Sequence, residues 1–288
     1  MALAAQGWHV IAHGRNPQRT ESARGDILAA AASGARVHMI RGDLSLLSDA
    51  VRMANEIAAL TDKVNVLLNN AGGVRSELVM TAEGNESTFA GNHLGHFLLT
   101  SRLMPLLRAA AASSQAGAVR IVSVSSTGHA SCPGIDWDDL QQTRQWVSGK
   151  SYCLAKLCNI LFTRELAKRV AADNMVANVM HPGVVDSNFI NHAEPGMKKY
   201  MQTLEFVSPQ SGADTLVWLA TAPEAGQTTG GYFHQRKPLK PSAAALDDET
   251  AARLWIESEK LILKGEAVAA IHRVGLSRNP RGGIRTQE

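Results

Sequence analysis

Two residues four apart, Tyr152 and Lys156 in the stretch SYCLAK, are the sharpest chemical signal in the chain. In a helix that spacing puts both side chains on one face. A phenol has a reference pKa of about 10, so bringing it to about 7 takes roughly 4 kcal/mol of differential stabilisation of the phenolate. A cation one helical turn away can supply it. The pair alone is a weak signal, because many helices carry Tyr and Lys at this spacing by chance. Its company carries more weight: Ser126 closes the run AVRIVSVSS, Asn69-Asn70-Ala71-Gly72 closes another apolar run, and Asn92 lies between them in GNHLGHFLLT.

These residues must be placed by the elements around them. Short β-branched runs alternate with longer Ala- and Leu-rich amphipathic segments almost from end to end, the signature of a parallel sheet wrapped by helices. Strands are predicted at 8–13, 36–44, 64–70, 118–126, 175–183 and 230–238. Helices are predicted at 18–32, 48–60, 86–111, 150–171, 212–221 and 247–262. The run 64–70 is apolar on both faces, as the middle of a parallel sheet requires. No internal repeat or linker interrupts the chain, so 1–274 reads as one domain and 275–288, GLSRNPRGGIRTQE, as a disordered tail. In a doubly wound sheet the ligand sits beyond the carboxyl ends of the strands. Here those ends are small or polar: Gly14-Arg15, Asp43, Asn69 to Gly72, Ser125-Ser126 and Pro182-Gly183. Together they point to a cofactor cleft.

With these elements in this order the chain resembles the short-chain dehydrogenase/reductase family, most closely its retinol-dehydrogenase-like branch. RIVSVSS, LCNILFTRELAKR, HPGVVDSNF and GGYFHQRKP carry the likeness, which runs from about residue 3 to about 262. It implies a Rossmann-like doubly wound α/β fold in three αβα layers and a catalytic tetrad of Asn92, Ser126, Tyr152 and Lys156. Ser126 is preferred to Ser125 because the family uses the second serine of the pair. Hydride transfer at a carbonyl carbon must be matched by proton transfer at its oxygen. Tyr152 would move that proton, Lys156 and an oxidised nicotinamide would stabilise the phenolate, Ser126 would donate to the substrate oxygen, and Asn92 would hold a relay water. Gly14 stands where NAD-preferring relatives carry an acid, and Arg15 beside it suits a 2'-phosphate, so NADP(H) is expected over NAD(H). Asp43 would meet the adenine, Asn70, Ala71 and Gly72 the adenosine side, with the asparagines tying neighbouring strands together. Ser187 would hold the carboxamide, with Pro182 and Gly183 beside it; Tyr152 and Lys156 would also face the cofactor. The substrate would be a small apolar alcohol or carbonyl compound entering over the segment after Ser187. A homo-oligomer formed through the two long helices is compatible with the family.

Bulk properties exclude other classes. In 288 residues, 45% are apolar and 19% charged, with a net charge of +3 and scattered basic residues, so no nucleic-acid stripe is present. No run approaches a membrane span of about 20 residues, and no secretory signal pattern opens the chain. Three cysteines, Cys132, Cys153 and Cys158, match no metal spacing and suit a reducing, cytoplasmic setting. His93, His96 and His181 read as packing residues, Cys153 likewise, and Asp136, Asp138 and Asp139 as a solvated loop. No metal site is expected.

The sequence departs from the family at its start. The first strand and a glycine-rich turn of the form TGxxxGIG should precede residue 8, yet MALAAQG reads as the end of the helix that follows such a turn. Roughly 25 residues are expected to be missing, the length of a βα unit, leaving an N-terminally truncated fold. Either the sequence starts at an internal methionine of a longer protein or the chain is a shortened relative. That turn would supply the phosphate cradle, so the enzyme reading stands beside a second one, a catalytically silent remnant acting as a binding or interaction protein. An epimerase or dehydratase using Tyr-x-x-x-Lys is disfavoured because no sizeable C-terminal substrate domain follows the sheet.

Overall fold

The computed structural model describes the backbone of residues 1–277 and the side chains of residues 1–265. Short α1 (Ala2–Ala5) leads to strand β1 (Val10–Gly14), helix α2 (Pro17–Ala29), strand β2 (Val37–Arg41), helix α3 (Leu47–Leu60) and strand β3 (Val66–Asn69). Next come α4 (Ser87–Phe89), a π-helical turn (Ala90–Leu94) and α5 (Gly95–Ala111), then β4 (Arg120–Val124), α6 (Ser148–Val170) and β5 (Val176–Met180). The chain closes with β6 (Val184–Val185), α7 (Pro195–Met201), β7 (Phe206–Val207), α8 (Pro209–Thr221), β8 (Tyr232–His234), β9 (Lys237–Pro238) and α9 (Asp248–Ser277).

Apart from the short parallel pair β6-β7, the strands fall into two sheets. β1 pairs with β2, Val10 opposite Val37. A separate five-stranded sheet runs β3-β4-β5-β8-β9, with Val66 opposite Arg120 and Arg120 opposite Val176. β1 and β3 are not bonded to each other. In the larger sheet, alternation along β4 sends Ile121 into the core under α5, α6 and α9, and Val122 into a second core under α8. All five β4 residues are buried, whereas no residue of β1 is. The smaller sheet is held to the rest by α3, which buries Leu47, Ala50, Met53 and Ala54 in the core shared with α5. Buried Glu83 caps α3 from a distance, accepting from the Leu47 amide at 2.5 Å and the Ser48 amide at 2.9 Å. Gly95 makes the close approach possible, since a Cβ there would lie 2.1 Å from the Leu44 carbonyl.

Several boundaries differ from the sequence reading for physical reasons. The predicted single strand 230–238 is a hairpin, because Gln235 and Arg236 adopt φ of 49° and 59° and turn β9 back antiparallel onto β8. The predicted helix 86–111 contains the π turn, which adds a residue to one loop of the helix. The expected tail starts too early: α9 extends through Ser277, so residues 275–277 are helical, and 278–288 lie outside the described residues. Asn69 does not tie strands together; its Nδ2 donates to Thr100 Oγ1 on α5 at 3.0 Å. Among the described residues no helix is long and apolar enough to cross a membrane, and no group of three or more His, Cys, Asp or Glu could hold a metal.

Candidate active site

Tyr152 and Lys156 lie near the start of α6, on the face toward the end of β4. Lys156 is buried, and its Nζ donates to the Val124 carbonyl at 3.2 Å, an oxygen that also accepts from Asn159 Nδ2 at 3.1 Å. Nζ is 5.6 Å from the Tyr152 ring centre. Burial without an anionic partner pushes the Lys156 ammonium down to about 8. Burial pushes the half-buried Tyr152 phenol up to about 12, with the Ser126 hydroxyl offsetting part of the rise. In this state Tyr152 is a protonated acid, not the pre-ionised base that the spacing with Lys156 alone implies.

The two serines after β4 have separate surroundings. Ser125 is buried and donates to the Lys156 carbonyl at 2.7 Å, which locks the strand end to α6. Ser126 is half-buried, and its Oγ accepts from the Gly128 amide at 3.1 Å, which leaves the hydroxyl proton to face Tyr152. Asn92 sits in the π turn. Its Nδ2 donates to the Thr88 and Gly73 carbonyls at 2.7 and 2.9 Å, while its Oδ1 accepts from the Gly73 amide at 3.1 Å. A Cβ on Gly72 would fall 2.7 Å from Asn92 Oδ1 and 3.1 Å from Lys156 Nζ. Glycine after β3 therefore lets Asn92 and Lys156 converge.

A cleft of about 600 Å³ opens beside this point, lined among others by Arg15, Asp43, Ala71, Gly72, Asn92 and Ser187. Arg15 donates to Asp43 at 3.1 Å, with its own side chain 54% exposed. Burial works against the Asp43 carboxylate, but hydrogen bonds from the Ser45 amide and hydroxyl and from Arg15 outweigh it and hold the carboxyl below its ordinary range. Ser187 caps a 3-10 turn through the Phe189 amide, and the Phe189 ring leans on Tyr152 at 5.1 Å between centres. Five expected contacts fall outside the cleft lining: Tyr152 and Lys156, which stand behind Gly72 and Phe189, and Asn70, Pro182 and Gly183. Asn70 is exposed, since the chain turns after Asn69 and carries it away from the cleft. Pro182 lines a separate hollow of about 300 Å³ with Val207 and His234, and Gly183, at φ of 87°, turns beside Val207.

The sequence reading missed two braces. Buried Glu86 accepts from the Thr88 and Phe89 amides at 2.9 and 2.7 Å and from Ser151 Oγ at 2.9 Å, so one carboxylate joins the helix start ahead of Asn92 to the helix carrying Tyr152. An acidic residue before Ser-Thr-Phe was readable as a helix cap, but its second partner 65 positions away was not. His129, three residues beyond Ser126, is the other.

Residues 1–198 match the family model described as short chain dehydrogenase. The chain belongs to that family. Human retinol dehydrogenase 13 is 34% identical over 270 residues, spanning 91% of this chain and 79% of that protein, which places the chain in the retinol-dehydrogenase-like branch. Among solved structures, a putative uncharacterized protein from Mycobacterium Paratuberculosis superposes with a TM-score of 0.68 at 28% identity, covering 90% of this chain and 86% of its own. A short chain dehydrogenase from Burkholderia cenocepacia J2315 in complex with NADP shares the fold with a TM-score of 0.61 at 20% identity, covering 85% of this chain and 91% of its own. The short-chain dehydrogenase fold, an α/β sandwich with a mostly parallel central sheet, is thus common to all of them.

Proposed function

We propose that the chain is an NADP(H)-dependent oxidoreductase that interconverts an apolar alcohol and its aldehyde or ketone, using Asn92, Ser126, Tyr152 and Lys156. One observation supports this above the rest: Asn92 of the π turn and Lys156 of α6 meet at Gly72, on the lining of a cleft that Arg15 also lines. The cleft fits a nicotinamide dinucleotide in size, and its lining supplies the small backbone-exposing residues Gly14, Ala71 and Gly72 that a flat heterocycle and its ribose need. Arg15 would hold a 2'-phosphate, Asp43 the adenine edge, and Ser187 the nicotinamide end. When bound, the cofactor supplies or takes up the hydride.

The rest falls to the chain's own groups. The Ser126 hydroxyl, held from behind by the Gly128 amide, donates to the substrate oxygen. The protonated Tyr152 delivers its proton to that oxygen as charge develops there, and Lys156 limits the cost of the resulting phenolate. A phenol pushed up to about 12 is protonated at neutral pH, the form that carbonyl reduction requires. Asn92 fixes the loop after β3 against α5, keeping Gly72 against Lys156. Membership of the short-chain dehydrogenase family favours this reading over the silent interaction protein. The test is consumption of NADPH and of NADH with a panel of aliphatic and aromatic aldehydes. Turnover with NADPH faster than with NADH supports the reading; absence of turnover with both, in chain that binds neither, overturns it.

A further inference from the structure

His129 is buried, with 3% of its surface exposed, and no role has been assigned to it above. Its ring is held at both nitrogens. Nδ1 lies 2.6 Å from the carbonyl oxygen of Ser126, and Nε2 lies 3.0 Å from the backbone nitrogen of Ser242, 113 positions away. A carbonyl oxygen can only accept and a backbone amide can only donate. Nδ1 therefore carries the proton and Nε2 offers its lone pair, which fixes one neutral tautomer without reference to pH. Burial, only partly offset by the Ser126 carbonyl, lowers the ring's pKa and so agrees with that state. The Tyr232 ring meets it edge-on, 5.3 Å away at 82°, and leaves it no freedom to flip.

We propose that His129 is a positioning residue for Ser126, a rigid spacer that ties the turn carrying the candidate catalytic serine to the segment leading into α9. The turn's backbone anchors are local: Ser126 Oγ accepts from Gly128 and the Ser126 carbonyl accepts from the His129 amide, both within three residues. The turn also packs on α6, where Ser126 meets Tyr152. The imidazole is what carries it further, to Ser242 in the C-terminal part of the chain. Ser242 follows Pro241 and caps the 3-10 turn Ala243–Leu246, whose buried Ala245 packs in the main core beside α6. The serine that must face the substrate oxygen to within hydrogen-bonding reach is thus referenced to the C-terminal part of the core as well as to β4.

The inference rests on the catalytic reading of Ser126, and the experiment separates the two. His129→Ala removes the spacer. Ser242→Pro is the second variant: Ser242 has φ of −61°, which proline adopts, so the backbone course is kept while the amide proton is lost and the ring carbon placed where that proton pointed pushes the imidazole away. With an aldehyde and NADPH, both variants are expected to lower kcat at least tenfold and fivefold respectively, with KM for NADPH changed less than twofold. In a Ser126→Ala background the same changes should cost less than twofold more, since the group being positioned is gone. Equal losses in both backgrounds, or unchanged kcat in folded variants, overturn the proposal. A second readout needs no turnover: in 15N-labelled chain, His129 should show a protonated Nδ1 and an unprotonated Nε2 at neutral pH, and Ser242→Pro should shift the Ser126 and Thr127 amides. A protonated Nε2, or Ser126 and Thr127 amides unmoved by Ser242→Pro, overturns it even if the wild-type chain reduces nothing. Inactive wild-type chain with the expected tautomer and shifts would instead count against the catalytic reading alone.

Discussion

The two sheets of this molecule were built from similar sequence and ended in different states. β4 is buried at all five positions and flanked by β3 and β5, with α5 and α6 on one face and α8 on the other. β1, whose VIAHG is nearly as apolar, has one partner strand and no buried residue. Strand-forming sequence sets where a strand forms, but its neighbours set how much surface it hides. The proposed proton-transfer groups belong to the well-covered sheet and its helices. The residues proposed for the adenosine end, Arg15 and Asp43, belong to the smaller one.

The largest expected consequence is in local stability. Backbone amides of β4 and β5 should exchange with solvent only through global unfolding, which for a domain lies about 5 to 15 kcal/mol away, whereas those of β1 should exchange through a far cheaper opening. Native-state hydrogen exchange measures both in one sample. Equal protection of β1 and β4 would break the comparison.

Acid should attack the junction between the sheets next. His93 and His96 on the helix that docks against α3 are buried, and burial pushes each down to about 3. Their folded pKa lies below the unfolded value of 6.5, so the stability they allow is present above 6.5 and lost as pH falls toward 3. The slope is about 1.4 kcal/mol per pH unit for each ring, so two units below 6.5 cost about 5 kcal/mol. Urea denaturation at pH 6.5 and 4.5 reads this directly, and a flat profile would contradict it.

A smaller effect of the same sign, in a higher pH window, is expected at Lys156. Its folded pKa of about 8 is below its ordinary 10.5, so the buried ammonium weakens the fold below pH 8, and that cost fades as pH rises through 10.5. Lys156→Met should stabilise the chain by on the order of 2 kcal/mol while removing activity. Val124 keeps a donor in Asn159, so no orphan is left behind. Destabilisation by this variant would mean that Lys156 is held for structure. The smallest effect belongs to the outer sheet: Arg15→Gln should change stability by less than about 1 kcal/mol, because its pair with Asp43 is largely solvated. It should nevertheless lower the preference for NADPH over NADH about tenfold, as measured by the ratio of kcat/KM values.

Much of this was legible in the sequence, and the gaps have local causes. The period-2 and period-3.6 patterns located β4 and α6 to within a few residues because both are buried by many neighbours, and small residues at the strand ends marked the rim. Contacts between distant side chains were not legible. Asn69 bonds Thr100 rather than a strand, Glu86 reaches Ser151, and His129 reaches Ser242; each depends on packing between elements that no periodicity encodes. Asn70 was placed on the rim by its position after an apolar run, but backbone direction, not residue type, decides which of two adjacent asparagines faces inward. Spacing places Lys156 near Tyr152, but only burial shows that both groups are shifted toward their neutral forms.

The central claim is that Tyr152, in the well-covered sheet's helical layer, delivers a proton to a carbonyl oxygen during NADPH-dependent reduction. The most direct measurement compares aldehyde reduction by the wild-type chain and by Tyr152→Phe, with NADPH binding followed by calorimetry. Loss of the hydroxyl alone should lower kcat by about 10² to 10⁴-fold with NADPH affinity unchanged. Full activity in Tyr152→Phe would contradict the account.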